Sequence, residues 1–231
     1  MDNYTIPEIC THVKIDIGLS YNAPQSQDWL SKEKDLMVFG FEPNPESVDC
    51  IMKGNIHKKH PINTNQLENK FIDEKRFHIF PVALSNIEKV EKMDFWVNAN
   101  DAGTSSLFAH YEKELGPIKS CIEVPVFSLK MFFDSFPWDR FTYIDYIKID
   151  AQGSDLNILK GAGDYLKEKV VYVTAEPDGH QYIGAHECNE NNINNYMNSQ
   201  GFTRINHENT SDPTYINNKF LNLKNIYICQ I

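Results

Sequence analysis

The sequence has no run of apolar residues that approaches the roughly 20 needed for a membrane helix. Its first residues, MDNYTIPEICTH, have neither the basic end nor the apolar stretch of a signal peptide. We therefore expect a cytoplasmic protein that does not bind membranes.

Positive charge is also scarce. The 22 lysine and arginine residues are outnumbered by 32 aspartate and glutamate residues, which gives a formal net charge of −10. Because nucleic-acid binding depends largely on neutralising phosphates with cationic side chains, we expect no nucleic-acid partner. The five cysteines are scattered and none forms a C-x-x-C pair, so neither a disulfide framework nor a zinc ribbon is indicated.

What the chain does contain is typical of a single α/β domain. At 231 residues, with 41% hydrophobic and 23% charged residues, it is long enough for one such domain and short for two. Val13, Ile15 and Ile17 form a short apolar strand of the kind that is covered on both faces in a parallel sheet. We predict one domain over residues 1–231, with an irregular insertion around 54–70.

Further strands and helices follow from the same patterns. Asn44, Pro45 and Glu46 are typical of a helix start. Pro125 predicts an edge position for its strand, and Gly201 ends a late helix. The predicted strands are LMVFGFEP (36–43), FHIFPVALS (77–85), KMDFWVN (92–98), IEVPVFSL (122–129), YIDYIKID (143–150) and VVYVTAEPDGH (170–180), with FTRINH (202–207) and NIYICQI (225–231) as a terminal antiparallel pair.

Carboxylates stand at or just after the ends of four of these strands, namely Asp16, Glu42, Asp150 and Glu176. In dinucleotide-binding folds a carboxylate at the end of the second strand binds ribose hydroxyls, roughly 20 residues after the glycine-rich turn. Glu42 has this place. The loop after the first strand lacks G-x-G-x-x-G, so no helix start is shaped to hold a pyrophosphate. The pattern favours a nucleoside ligand without phosphates.

At this point the sequence resembles the FkbM-type methyltransferases, a branch of the class I S-adenosylmethionine-dependent enzymes. The matching pieces run in the family's order from Val13 to Phe202: IDIG, FGFEPNP, FPVALSN, GTSSL, IKIDAQGSDLNILKGA and SQGF. There are two departures. Asn22 stands in the place of a loop glycine, where its tolerance of positive φ would preserve the turn. Gln152 and Asp155 stand where the family more often has glutamate.

The resemblance implies a Rossmann-like, doubly wound, mostly parallel sheet and a set of cofactor contacts. Asp16 and Gly18 would shape the methionine end of the S-adenosylmethionine pocket, or Asp16 would only order its own loop. Glu42 would bind the ribose. The remaining contacts would be Pro43 and Asn44 beside the adenosine and Val82 and Ala83 beside the adenine, although Asn44 could serve only as a helix cap.

Catalysis would fall to Asp150 or His180 as general base, of which His180 has the more suitable ordinary pKa. Asp150 and Glu176 would also offer oxygen ligands to Mg²⁺ or another divalent ion, which some O-methyltransferases of this fold use. As an alternative, Asp150 would only cap the helix that begins near Ser154. GTSSL (103–107) is either a surface turn or a lid over the acceptor.

We therefore expect an S-adenosylmethionine-dependent O-methyltransferase that acts on a hydroxyl of a sugar or glycan precursor, including nucleotide-linked forms. The acceptor class rests on the family resemblance. An NAD(P)-dependent oxidoreductase and a non-catalytic module that binds an adenosyl ligand are the alternatives. A homodimer is left open.

Overall fold

The computed structural model describes residues 4–54, 66–206 and 210–221. Its strands are β1 (His12–Ile17), β2 (Leu36–Phe41), β3 (Phe77–Phe80), β4 (Ala83–Leu84), β5 (Glu91–Asn98), β6 (Ile118–Phe127), β7 (Ile144–Ile149), β8 (Val170–Thr174), β9 (Phe202–Arg204) and β10 (Thr214–Asn217). Its α-helices are α1 (Pro24–Lys32), α2 (Pro45–Lys53), α3 (Asn69–Asp73), α4 (Glu112–Leu115), α5 (Leu129–Asp134), α6 (Asp155–Gly161), α7 (Tyr165–Lys169) and α8 (Glu190–Ser199).

Seven strands form the large sheet in the order β3-β2-β1-β7-β8-β10-β9. The neighbours from β3 to β8 pair in parallel, and β10 runs antiparallel to both β8 and β9. The chain builds outward from β1 through β2 to β3, then returns to the other side of β1 with β7. This reversal between β1 and β7 is a topological switch point, where α/β sheets bind ligands. The predicted doubly wound, mostly parallel sheet is confirmed.

Both faces of the sheet are covered, as the continuous apolar strands predicted. Val13, Ile15 and Ile17 pack into the larger core with side chains of α5, α6 and α8. The opposite face packs against α1, α2 and α3 through a smaller core that includes Trp29 and Phe71. Lys14 points to this second face, where its ammonium binds Glu33 at 2.6 Å and lies 5.2 Å from the centre of the Trp29 ring.

The segment FHIFPVALS divides at Pro81 into two strands that belong to different sheets. β3 extends the large sheet, while β4 joins β5 and β6 in a small sheet of order β4-β6-β5. The predicted edge position of the strand with Pro125 is therefore wrong, because β6 lies between two others. The proline is tolerated because β4 pairs only with Val126 and Phe127, and so leaves that flank of β6 before Val126 without a strand partner among the described residues.

Two other sequence predictions, the insertion and the terminal strand pair, lie only partly within the described residues. Of the predicted insertion, 55–65 lie outside them, and its end is helical from Asn69. β9 confirms a strand in FTRINH, but its antiparallel partner is β10, and NIYICQI lies outside the described ranges. The four described cysteines are free thiols. None of the described helices combines the length and apolar character needed to cross a bilayer.

Candidate active site

A cleft opens where β1, β2 and β7 end. It lies at the switch point of the sheet, and the small sheet forms its other wall. The residues that line it are Ile17, Gly18, Ser20, Phe41, Glu42, Pro43, Val82, Ala83, Leu84, Phe95, Ala102, Gly103, Ser105, Leu107, Asp150, Ala151, Gln152 and Ser154.

Gly18 allows the ends of the central strands to meet at the floor of this cleft. Its N–H donates to the carbonyl of Phe41 at 3.0 Å, which ties β1 to β2. Its φ is +81°, and a Cβ at this position would lie 1.8 Å from the carbonyl oxygen of Asp150. Only glycine fits, because both the left-handed backbone and the close approach exclude a side chain.

The loop after Gly18 makes its turn differently from the prediction for Asn22. Positive φ occurs at Ser20 (54°) and Ala23 (48°), whereas Asn22 is not among the left-handed residues. The prediction that Asn22 supplies this conformation in place of a glycine is therefore wrong. Asn22 is buried, and its carbonyl accepts a hydrogen bond from the N–H of Leu67 at 2.9 Å.

Asp16 lies beneath the cleft and does not line it. Its carboxylate accepts hydrogen bonds from the Ser26 N–H at 3.1 Å and the Ser26 hydroxyl at 2.6 Å. Ser26 belongs to the first turn of α1, so Asp16 satisfies donors that are otherwise unpaired at a helix start. Burial raises the pKa of Asp16, and the nearby ammonium of Lys148 and the bonds from Ser26 lower it in part. This geometry agrees with the alternative in which Asp16 orders its own loop.

Glu42 places a buried carboxyl at the wall of the cleft. It is 5% exposed, and it accepts hydrogen bonds from the backbone N–H groups of Asn44, Ser20 and Leu19, the first at 2.8 Å. Burial raises its pKa to about 8, although these three bonds act in the opposite direction. Glu42 therefore both organises two loops and faces the ligand space.

The neighbours of Glu42 divide between the cleft and the protein interior. Pro43 lines the cleft, whereas Asn44 does not. The Asn44 side chain caps α2 by accepting from the Glu46 N–H at 3.1 Å. Its amide Nδ2 is buried and has no hydrogen-bond partner among the described residues. The structure thus confirms that Asn44 caps α2, and within the described residues the Asn44 Nδ2 group has no hydrogen-bond acceptor.

Apolar residues line part of the cleft. Val82 and Ala83, which the family resemblance assigns to the adenine, are among them, together with Leu84, Phe41 and Phe95. Pro81 brings Val82 and Ala83 here, because it separates β3 from β4 at the point where the chain passes to the small sheet. The residues around GTSSL complete this side, since Gly103, Ser105 and Leu107 also line the cleft. That segment is part of the cleft wall and not simply a surface turn.

Asp150 lies at the end of β7 with its carboxylate between an ammonium and an amide. Lys148 Nζ binds one oxygen at 3.0 Å, and Gln152 Nε2 donates to the other at 2.6 Å. Burial alone would raise the pKa of Asp150, but Lys148 and hydrogen bonds from Glu176 and Gln152 outweigh it and lower the pKa. Asp150 is therefore ionised at neutral pH. Within the described ranges Asp150 makes no hydrogen bond to the start of α6, where Asp155 accepts from the Ala151 N–H instead.

Glu176 is the partner of Asp150. It follows β8, and Gln152 Nε2 donates to its carboxyl at 3.0 Å. Burial and the hydrogen bond with Asp150 raise the pKa of Glu176 to about 9, so it holds a proton at neutral pH. Two of the predicted site residues are thus brought together as a pair of unequal carboxyls.

His180 is not brought to this pair. It lies in the 3₁₀ turn Gly179–Gln181, its side chain is exposed, and it does not line the cleft. Asp178, two residues earlier, is buried and accepts from the Gly153 N–H at 2.7 Å. Of the two predicted general bases, only Asp150 faces the cleft.

Two residues near the carboxyl pair are not among the predicted catalytic, cofactor-binding or metal-binding residues. Lys148 sits within a buried strand, where a lysine signals a charged partner, and its contacts are Asp150 and, at 4.0 Å, Asp16. These two carboxylates raise the pKa of Lys148 against the opposing effect of burial. Tyr182 is fully buried, and its hydroxyl donates to Gln152 Oε1 at 2.5 Å. Nothing in the sequence around Tyr182 marks this contact.

The predicted divalent-ion site does not fit these contacts. The carboxyls of Asp150 and Glu176 both face the Nε2 hydrogens of Gln152, which occupy the positions that a cation would need. Asp155, Asp178 and Cys188 form a separate buried group whose ligand atoms lie within 4.8 Å of one another. Both Asp155 oxygens already accept backbone N–H groups, and burial raises the Cys188 pKa to about 12, so this group is better suited to holding loops together.

Sheet order and the cleft at the switch point together define a Rossmann-like, doubly wound α/β protein. A family model described as the methyltransferase FkbM domain matches residues 23–205. The chain belongs to the FkbM methyltransferase family, which confirms the resemblance seen in the sequence. Glu42 and Asp150 lie inside the matched range, and Asp16 and Gly18 precede it.

A solved structure gives a more distant likeness. The crystal structure of methyltransferase FkbM from Methylobacillus flagellatus KT is 13% identical in sequence, with a TM-score of 0.49. The match covers 90% of this chain and 44% of the other, so the chain spans less than half the length of that protein. A search of curated proteins found no match.

Proposed function

We propose that the protein transfers a methyl group from S-adenosylmethionine to a hydroxyl oxygen of a sugar or glycan precursor. The observation that carries this proposal is the placement of Glu42 and Asp150 on one cleft, on either side of the Gly18 junction. The Glu42 carboxyl can accept hydrogen bonds from ribose hydroxyls, and the Asp150 carboxylate can accept the proton of the acceptor hydroxyl.

The lining residues fit S-adenosylmethionine. Glu42 would accept hydrogen bonds from the ribose hydroxyls, and Val82 and Ala83 would contact the adenine. Ser154 lines the cleft at 2% exposure, and its hydroxyl has no hydrogen-bond partner among the described residues, as expected at a site for a polar ligand group. When bound, S-adenosylmethionine supplies a methyl group on a sulfonium, whose C–S bond breaks as the C–O bond forms.

Asp150 is the group that would remove the acceptor proton. It is ionised, and its side chain is 38% exposed toward the cleft while its oxygens stay oriented by Lys148 and Gln152. A base held in place near the reacting hydroxyl contributes through both proton transfer and positioning. His180 is exposed and does not line the cleft, so we assign the base to Asp150 alone.

The polar part of the lining supports a neutral, hydroxyl-rich acceptor. Ser20, Ser105, Ser154 and Gln152 can exchange hydrogen bonds with hydroxyl groups. Within the described ranges no arginine or lysine lines the cleft, and the nearby Lys148 is held by Asp150 and Asp16. This favours a glycan precursor without phosphates over a nucleotide-linked sugar.

The two alternative functions are less well supported. A dinucleotide would place its pyrophosphate at the N-terminus of α1, but the carboxylate of Asp16 already occupies the Ser26 N–H there and would repel a phosphate. A non-catalytic module would not need a proton acceptor. Gln152 cannot ionise, but the ionised carboxylate of Asp150 lines the cleft and can accept a proton.

Thermal denaturation with added ligands tests the proposal. S-adenosylmethionine and its demethylated product should each raise the melting temperature, and NAD should leave it unchanged. A panel of neutral sugars and nucleotide-linked sugars is then incubated with S-adenosylmethionine, and products are searched by mass for one added methyl group. Stabilisation by NAD alone would instead support the oxidoreductase.

A further inference from the structure

The side chain of Gln152 forms the centre of a hydrogen-bonded network that joins the two carboxyls to Tyr182. Its amide nitrogen has two hydrogens, and these point to Asp150 at 2.6 Å and Glu176 at 3.0 Å. Its carbonyl oxygen accepts from the Tyr182 hydroxyl. Both donor positions of the amide and one acceptor position of its oxygen are used, and the reverse orientation would set a carbonyl oxygen against two carboxyls.

The backbone around Gln152 is held in the conformation that this network needs. Gln152 has a φ of 53° and Gly153 a φ of 86°, so two left-handed residues follow each other. The Ser106 hydroxyl donates to the Gln152 carbonyl at 2.6 Å, and the Gly153 N–H donates to Asp178 at 2.7 Å. A left-handed residue other than glycine costs about 1 kcal/mol, and such costs persist at sites where surrounding contacts determine the geometry.

The charges around Asp150 and Glu176 favour a state in which the two carboxyls together hold one proton. Lys148 carries the positive charge closest to Asp150, and within the described residues no salt bridge reaches Glu176. Asp16 on β1, Asp155 on α6 and Asp178 after β8 are acidic groups near the pair whose pKa values burial also raises, and any negative charge that they carry disfavours a second charge on the pair. One negative charge on the pair balances Lys148, whereas a second would be buried without a cation, which is costly.

We propose that Gln152 is a positioning residue which, fixed by Tyr182, holds Asp150 and Glu176 as a pair that shares one proton and presents the ionised Asp150 to the cleft. This deepens the proposed function and rests on it for the identity of the proton donor. The acceptor's O–H bond would break with its proton going to Asp150 while its oxygen gains the methyl group. The C–S electron pair would stay on the sulfur.

Infrared titration of protonated carboxyl groups tests the pair without any ligand. At about pH 7.5 the wild-type protein should show the protonated carboxyl of the Asp150–Glu176 pair beside those of other buried groups such as Glu42, and Glu176→Gln should remove that one signal. Gln152→Met keeps the side chain's length and removes both N–H donors, so the shared proton should persist to a pH higher by about one unit, because hydrogen bonds to the charged form favour ionisation. Tyr182→Phe should shift the titration in the same direction.

Tyr215→Phe is the matched control for Tyr182→Phe. Tyr215 is also fully buried, and its hydroxyl also donates to a side-chain carbonyl, that of Asn194 at 2.6 Å, but it lies on β10 away from the cleft. It should leave the titration unchanged. The proposal is overturned if Gln152→Met titrates like the wild type, or if Glu176→Gln loses no protonated carboxyl.

Calorimetry of the wild-type protein with S-adenosylmethionine separates this inference from the proposed function. Absence of binding, together with the expected infrared shifts, would remove the methyl donor and leave the positioning by Gln152 in place. Binding without the infrared shifts would keep the methyltransferase and remove the role of Gln152.

Discussion

At the scale of single residues, Glu42 has two tasks that the sequence could not separate. Its carboxyl is placed for a ribose, and it also accepts three backbone N–H groups from the loops on either side. An alanine here would free those three donors along with any ligand contact. Glutamine keeps one oxygen for the backbone, so it distinguishes ligand binding from loop order.

We predict that Glu42→Gln weakens S-adenosylmethionine binding about 10-fold to 100-fold, because hydrogen bonds to a charged carboxylate contribute about 1.5 to 3 kcal/mol each. Calorimetry above about pH 8 measures the effect, since the Glu42 pKa is raised to about 8 by burial. Glu46→Gln is the control, because Glu46 lies on the same segment but pairs at the surface with Lys119. Equal affinity in both variants would remove Glu42 from the binding site.

Asp150 carries the second prediction at this scale. With an acceptor from the screen, Asp150→Asn should lower kcat by at least about 100-fold, the lower range for loss of a general base, while the affinity for S-adenosylmethionine changes far less. Asp145→Asn is the matched control. Asp145 is a buried carboxylate on the same strand, bonded to His12 at 2.7 Å near the opposite end of the sheet. Near-normal turnover in Asp150→Asn would exclude it as the base.

At the scale of elements, the junction of β1 with β7 determines where the cleft lies. The Asp150 N–H donates to the carbonyl of Ile17 at 3.0 Å, so the two strand ends are tied together directly below Gly18. The same close approach brings Asp150 beside the loop that follows β1. A side chain at Gly18 would push these elements apart.

Gly18→Ala should therefore destabilise the fold by several kcal/mol, of the order of other severe packing clashes in buried sites. Gly201→Ala isolates the backbone contribution, because Gly201 has a φ of +83° and nothing within 4 Å of its missing Cβ. It should cost only about 1 kcal/mol. Urea denaturation of both variants provides the comparison, and equal losses would show that the approach of Asp150 is unimportant.

At the scale of the whole molecule, protons held by buried carboxyls make stability depend on pH. Burial raises the pKa of Glu42 to about 8, of Asp178 to about 7 and of Glu176 to about 9. In the unfolded chain such groups lose their protons near pH 4. Between these limits the folded state binds more protons than the unfolded state, so the free energy of unfolding falls as pH rises.

We predict that the unliganded protein is more stable to urea at about pH 5.5 than at about pH 8.5, with a slope that approaches −1.4 kcal/mol per pH unit for each extra proton held. Glu176→Gln and Asp178→Asn should each flatten the slope, whereas the exposed substitution Glu46→Gln should not. A stability that rises with pH across this interval would contradict the raised pKa values.

The sequence was sufficient for features that depend on local pattern. Continuous apolar strands predicted a sheet covered on both faces, and Asn44 with Pro45 predicted the start of α2. Motif order predicted the family and placed Glu42, Val82, Ala83 and Asp150 on one cleft. These features could be predicted because burial, helix capping and strand ends are each determined by a few neighbouring residues.

Contacts between distant residues were decided only by the tertiary structure. Asp16 was free in the sequence to bind a ligand, but folding brings it to Ser26 at the start of α1. Pro125 was assigned to an edge because the sequence does not show that the short β4 would pair beside it. The network of Gln152 and Tyr182 joins residues 30 positions apart, and no local pattern specifies a hydrogen bond made by the meeting of two loops.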